Sequence, residues 1–178
     1  MFPISTLNLL AWTAKRTFCS QPTVLKAWLR DLPKRLPSNL HIDVGPHNQT
    51  TTIETTWEKH YETTLIERAT LHQAAGKRVL IVTPWKTRVE QYAKALDART
   101  LESDQATGGA FTAWSTFLST TPSCLVTTRI GAWLASAADI VLLDEPENDD
   151  HKQDELQPRY DARRLVSWCA LQGGTSVE

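Results

Sequence analysis

The sequence predicts an α/β domain: a parallel sheet flanked by helices and preceded by a short helical N-terminal segment. Three observations point there. Arg78–Thr83, Cys124–Thr127 and Asp139–Leu143 are short apolar runs rich in β-branched residues, the composition of strands buried on both faces. The stretches between them carry apolar residues spaced by threes and fours, the spacing of amphipathic helices. The overall composition, 41% hydrophobic and 22% charged over 178 residues, is that of one compact domain with its own core.

The elements follow in chain order. Leu7, Leu10, Ala14 and Phe18 keep near-helical spacing, with Thr6 as the cap. Pro22 opens a second helix carrying Val24, Leu25, Trp28 and Leu29, and Pro33 and Pro37 break it. Residues 1–37 thus form a helical segment. Residues 38–56 read as a polar linker with possible short strands at Leu40–Val44 and Thr51–Thr55. Residues 57–178 form the α/β body. Its first helix, Trp57–Ala75, places Leu65, Ile66, Ala69 and Leu71 roughly on one side and ends at Gly76. After the first strand and Pro84 come helices at Lys86–Leu96 and Ala110–Leu118, and a short one at Ile130–Leu134. The last spans Tyr160–Leu171 and ends before Gly173 and Gly174.

Several function classes are disfavoured. The formal net charge of −1 gives no global attraction for nucleic acid, so any such contact must rest on local clusters. One candidate is the basic group Lys26, Arg30, Lys34 and Arg35, which is more simply the solvated face of a helix. Cys19, Cys124 and Cys169 lie far apart without a CxxC pair, which argues against zinc and for a reducing, cytoplasmic setting. No apolar run approaches the ~20 residues a membrane span requires.

The sharpest local signal is Ile140-Val-Leu-Leu-Asp144-Glu145, an apolar strand ending in two acids. Ligand sites in parallel sheets lie beyond the strands' carboxyl ends. In nucleotide-driven motors an Asp at this place holds Mg²⁺ through water, and the following Glu polarises the attacking water. A solvated loop start explains the pair equally well from these residues alone.

The residues that follow, Asp144 to Arg163, read DEPENDDHKQDELQPRYDAR. They resemble the region of primosomal replication-restart helicases of the PriA type, in which a D-E-E-H box leads to S-Y-K-Q and then P-R-Y-x-A-R. Lys152-Gln153, Pro158-Arg159-Tyr160 and Ala162-Arg163 match at the same spacing. Upstream, Gly76–Pro84 is similar to that family's G-K-x-V-L-x-L-V-P strand. Trp114 falls fifteen residues before Arg129, and Thr127–Trp133 stands for its G-T-R-S-A-L-F turn. Trp12, Cys19, Val24-Leu25 and Leu32-Pro33 resemble the segment after its DNA 3′-end-binding domain.

The resemblance implies a partial RecA-like (P-loop NTPase-like) lobe. It further implies ATP and Mg²⁺ as cofactors, with Asp144 and Glu145 as the catalytic acids and Asp144 meeting the metal through water. The implied partners are single-stranded or forked DNA and other primosome or replication-restart proteins. Thr83, Trp85, Lys86, Thr128, Arg129, Lys152, Arg159, Tyr160 and Arg163 would stand along the DNA. Single residues also have plainer readings: Arg129 as an ion-pair partner of Asp144 or Asp139, Tyr160 as a core residue on the last helix, Trp85 and Trp133 as packing.

The chain departs from the family where ATP should bind. Family spacing puts the G-x-x-G-x-G-K-T loop on Thr55–Glu62, which has no glycine and carries Tyr61 and Glu62 in place of Lys and Thr. The Gly45–Thr51 stretch has one glycine and no lysine, and only Lys59 could substitute. Pro146 and Glu147 replace the second Glu and the His of the acidic box, and His151 stands where Tyr is frequent. A second motor lobe does not fit within 178 residues. The expectation is therefore a replication-restart relative that binds DNA with a degenerate ATP site. The alternatives are an inactive DNA- or protein-binding module and a non-functional helicase fragment.

Overall fold

The computed structural model describes residues 4–29, 61–172 and 175–178. The expected linker, its short strands, the proline breaks, the basic residues Arg30, Lys34 and Arg35, and Gly173-Gly174 lie outside the described residues.

Two helices come first, α1 (Ile4–Thr17) and α2 (Gln21–Leu29). The body follows as α3 (Tyr61–Ala74), β1 (Arg78–Val82), α4 (Lys86–Leu96), β2 (Arg99–Leu101), α5 (Thr107–Ser119) and β3 (Ser123–Thr127). A 3-10 segment (Arg129–Ala137) leads to β4 (Ile140–Leu143), and a 3-10 turn (Asp149–His151) to β5 (Lys152–Gln153). The chain continues through β6 (Tyr160–Asp161), α6 (Ala162–Leu171) and β7 (Ser176–Val177).

Five strands form one parallel sheet in the order β2-β3-β1-β4-β7. Successive side chains in a strand point to opposite faces, and both faces are covered. Val79 and Ile81 of β1 pack with Cys124, Val126, Ile140 and Leu142 under Ala69 of α3 and Val89, Tyr92 and Ala93 of α4. Leu80 and Val82 face the larger core formed with α1, α2, α5, α6 and the 3-10 segment. All five β1 residues are buried, and burying each aliphatic side chain contributes about 1.5–3 kcal/mol. The parallel α/β sheet read from the sequence is therefore present.

Several boundaries differ, for physical reasons. Thr6 does not cap α1. It lies inside the helix, buried, with its hydroxyl 2.7 Å from Ser136 Oγ. The buried face of α1 is Leu9, Leu10, Thr13 and Ala14, but the helix ends at Thr17 and Phe18 turns away from that face at φ +53°, fully exposed. In α3 only Ala69 is fully buried, and Leu71, two residues on and ~200° around the helix, is exposed. Gly76 closes the helix at φ +77°, a conformation in which Cβ is costly. The last helix starts at Ala162 rather than Tyr160 because Asp161 caps it, its carboxylate accepting from the Arg163 N–H. Tyr160-Asp161 instead pairs antiparallel with Lys152-Gln153. Strands β2 and β7, at the two edges of the sheet, are two to three residues long, too short to leave a periodic signal.

The N-terminal helices pack on the body. Trp28 stacks on Trp133 at 5.8 Å and 6°, and Trp114 meets Trp133 edge-on at 6.2 Å. Trp133 is a packing residue, as one reading of the sequence held. Gly131 brings this segment against β3: a Cβ there would lie 2.5 Å from Thr127 Oγ1.

Candidate functional site

Thr83 follows β1 and Asp144 follows β4, and these strands are neighbours. The chain leaves β1 toward β2 on one side of the sheet and leaves β4 toward β7 on the other. Such a reversal opens a crevice outside the carboxyl ends, where parallel sheets bind ligands. Asp144 and Glu145 stand in it.

The crevice is filled by the protein's own side chains. Asp144 is 2% exposed. One of its oxygens accepts from the Thr83 hydroxyl at 2.7 Å, and Arg88 Nη1 reaches both, at 3.2 and 3.1 Å. The same nitrogen lies 2.8 Å from Glu145 Oε1, and Nη2 lies 3.1 Å from Glu62 Oε1. The guanidinium also sits over the Tyr61 ring, 5.1 Å from its centre. Glu145 accepts from the Tyr61 hydroxyl (3.1 Å), the Trp85 indole N–H (2.9 Å) and the Asn148 amide (2.9 Å). Its φ of +46° is one that non-glycine residues adopt at a cost, and these donors hold it there.

The electrostatics follow from the burial. Desolvation pushes the Asp144 carboxyl up, against the opposing pull of Thr83 and Arg88. Burial also raises Glu145, but its hydrogen bonds from Asn148 and Trp85, the Arg88 charge and the Tyr61 hydroxyl outweigh it and hold the carboxyl below its ordinary range. Burial and the negative charge of Asp144 push the Tyr61 phenol up to about 12. Burial alone would lower Arg88; the hydrogen bond and charge of Asp144 raise it and keep it protonated.

This geometry does not fit Mg²⁺·ATP. The Arg88 guanidinium stands against Asp144 where a cation would meet it. Tyr61 and Glu62, at the positions the resemblance gives to the loop's Lys and Thr, present a phenol and a third carboxylate. Around Arg88 three acids meet one base, so the pocket does not attract a triphosphate. Among the described residues no group of three or more His, Cys, Asp or Glu side chains is arranged to hold a metal ion.

Arg88 was not among the residues expected at the site. One signal was there: the first turn of α4 carries Lys86 and Arg88 and no acid, against the helix dipole. A cation in that position needs an external anion, and Asp144 and Glu145 supply it.

The other expected site residues divide into two groups and an outlier. Thr83 is fully buried, so it cannot line a path for DNA. Trp85 is 42% exposed at the crevice mouth. Lys86 stands apart, paired with Asp104 at 2.7 Å. Thr128 and Arg129 follow β3, but Arg129 does not pair with Asp144 or Asp139. Its Nε donates to Gln153 Oε1 and its Nη1 to the Asp150 carbonyl, both at 2.9 Å, and the Tyr160 hydroxyl donates to the Arg129 carbonyl. Arg129 thus braces the β5–β6 hairpin, and Tyr160 belongs to that hairpin rather than to the last helix. Lys152 pairs with Asp149. Arg163 binds Asp161 at 2.7 Å and donates to the Pro146 carbonyl. Arg159 is exposed.

His151 is completely buried, its Nε2 2.8 Å from the Asp144 carbonyl. A carbonyl only accepts, so Nε2 carries the proton. His151 therefore ties the acidic turn to the hairpin through the backbone of Asp144. No helix among the described residues is long and apolar enough to cross a membrane. No protein-family model matches this chain, and no curated protein does.

Proposed function

We propose that this chain is a nucleic-acid-binding module related to the primosomal replication-restart helicases, built on a RecA-like lobe that binds DNA without turning over nucleotide. The observation that carries the reading is Arg88, which pairs with both Asp144 and Glu145 in the crevice between β1 and β4. An internal cation 2.8–3.2 Å from the buried Asp144 and the partly buried Glu145 stands where a metal ion would meet these acids. The nucleic-acid half of the reading rests on the resemblance over Asp144–Arg163. It is supported by the hairpin that this stretch forms, which carries Lys152, Arg159 and Tyr160.

The test combines two titrations. The protein is expected to bind a fluorescent single-stranded dT20 in the absence of nucleotide, with affinity falling as salt rises. Millimolar Mg²⁺·ATP should leave the thermal midpoint unchanged, whereas a ligand at 100 times its Kd would add about 2.7 kcal/mol. DNA-stimulated ATP hydrolysis that Asp144→Asn abolishes would refute the silent site. Absence of any nucleic-acid binding at low salt would refute the module.

A further inference from the structure

A groove of about 300 Å³ runs between α1, the β5–β6 hairpin and α6. Arg16 from α1, Lys152 and Arg159 from the hairpin and Arg164 from α6 line it, together with Trp12 and Tyr160. Arg16, Arg159 and Arg164 are exposed. None of the three makes an ion pair among the described residues.

Two acids also line the groove, Asp154 and Asp161. Asp161 is already engaged, with both carboxylate oxygens accepting from Arg163 at 2.7–2.8 Å. Asp154 is exposed. Among the described residues, three guanidinium groups without an ion pair therefore face one unengaged carboxylate, which leaves a positive excess.

The aromatic residues decide which anion suits this groove. Trp12 is half-buried and stacks on Trp168 at 5.6 Å, which fixes its ring. The Tyr160 ring is fixed by its hydroxyl on the Arg129 carbonyl. Rigid aromatic rings beside cations from three elements match a single strand, whose phosphates meet the charges and whose bases stack. An acidic peptide would use the cations and leave the rings idle.

We propose that a single-stranded nucleic acid crosses this groove, its phosphates on Arg16, Arg159 and Arg164 and its bases against Trp12 and Tyr160. The inference rests on the nucleic-acid reading above and moves the contact away from Arg129, whose guanidinium holds the hairpin.

The test measures dT20 and U20 binding by anisotropy at 25 and 200 mM salt. It compares the full chain with an Arg16→Glu/Arg164→Glu variant and with a Lys94→Glu control on the exposed side of α4, which covers the other face of the sheet. All three substituted residues are exposed, and unchanged circular dichroism checks the fold. The double variant is expected to bind at least tenfold more weakly at low salt and with a shallower salt dependence, by about 0.7 per lost phosphate contact. The control should stay within twofold of wild type. A strand carrying 5-iodouracil should cross-link to the peptide containing Trp12 or Tyr160.

Should wild type bind while the double variant loses no more than the control, the groove is wrong and the nucleic-acid reading survives. Should wild type bind neither oligonucleotide, both fall. Should a 20-residue polyglutamate bind as tightly as dT20 through the same arginines, the ligand class is wrong.

Discussion

The crevice between β1 and β4 and the groove beside the β5–β6 hairpin are both rich in charge, yet they treat it in opposite ways. In the crevice every ionic group found a partner inside the protein: Arg88 meets Glu62, Asp144 and Glu145, and Thr83, Trp85, Asn148 and Tyr61 donate to the remaining lone pairs. In the groove Arg16, Arg159 and Arg164 are left in water. A buried ion cluster must satisfy itself, because an unpaired charge out of water costs several kcal/mol. An exposed cation bears no such penalty and remains free to meet a ligand. Paired acids at a sheet's carboxyl rim are thus by themselves a poor guide to binding; charge left uncompensated is a better one.

The largest test of this contrast is removal of the central cation. Arg88→Ala should destabilise the fold by about 3–5 kcal/mol in urea unfolding, since Asp144 stays buried without its partner. Combining it with Asp144→Asn should recover part of that loss. A single-variant effect below about 1 kcal/mol would mean the cluster is slack and open to exogenous ligands.

Next comes the brace. Arg129→Ala removes two charge-assisted hydrogen bonds, worth about 1.5–3 kcal/mol each. The loss should be concentrated at the hairpin and read as faster amide exchange over residues 150–161, with the sheet core unaffected. Uniform acceleration across β1, β3 and β4 would show instead that the hairpin is integral to the core.

The pH dependence separates the two acids of the crevice. Glu145 has a lowered carboxyl, so its contribution to stability is present above the ordinary carboxylate range and is lost as pH falls through its folded value. Asp144 is raised, so its contribution has the opposite sign: present in acid and lost as pH rises through its folded value. Between roughly pH 6 and 3, Glu145→Gln should flatten the acid loss of stability and Asp144→Asn should steepen it. Equal slopes in both variants would mean that neither carboxyl is perturbed.

The smallest expected effect lies outside both regions. Lys86 and Asp104 form an exposed ion pair, and such pairs contribute little because water screens them. Lys86→Ala should leave the unfolding midpoint unchanged within error, and DNA affinity with it. A clear loss of affinity would extend the nucleic-acid surface around the rim to α4.

Three of the sheet's five strands, and the emergence of the acids at its rim, are legible in the sequence alone. Arg78–Val82, Ser123–Thr127 and Ile140–Leu143 are legible because a strand covered on both faces must be a continuous apolar run, and an acid pair ending such a run must emerge at the sheet's rim. The spacing of Val89, Tyr92 and Ala93 fixed the buried side of α4 for the same reason. What the acids meet follows from the packing of distant elements. Arg88 lies 56 residues before Asp144, and no local pattern joins them. Whether a guanidinium fills a crevice depends on how α4 packs over β3, and whether Arg16 and Arg164 share a groove depends on how α1 packs against α6. Hydrophobic periodicity reports what each element buries; the polar groups that meet above the core follow from the packing of elements distant in sequence.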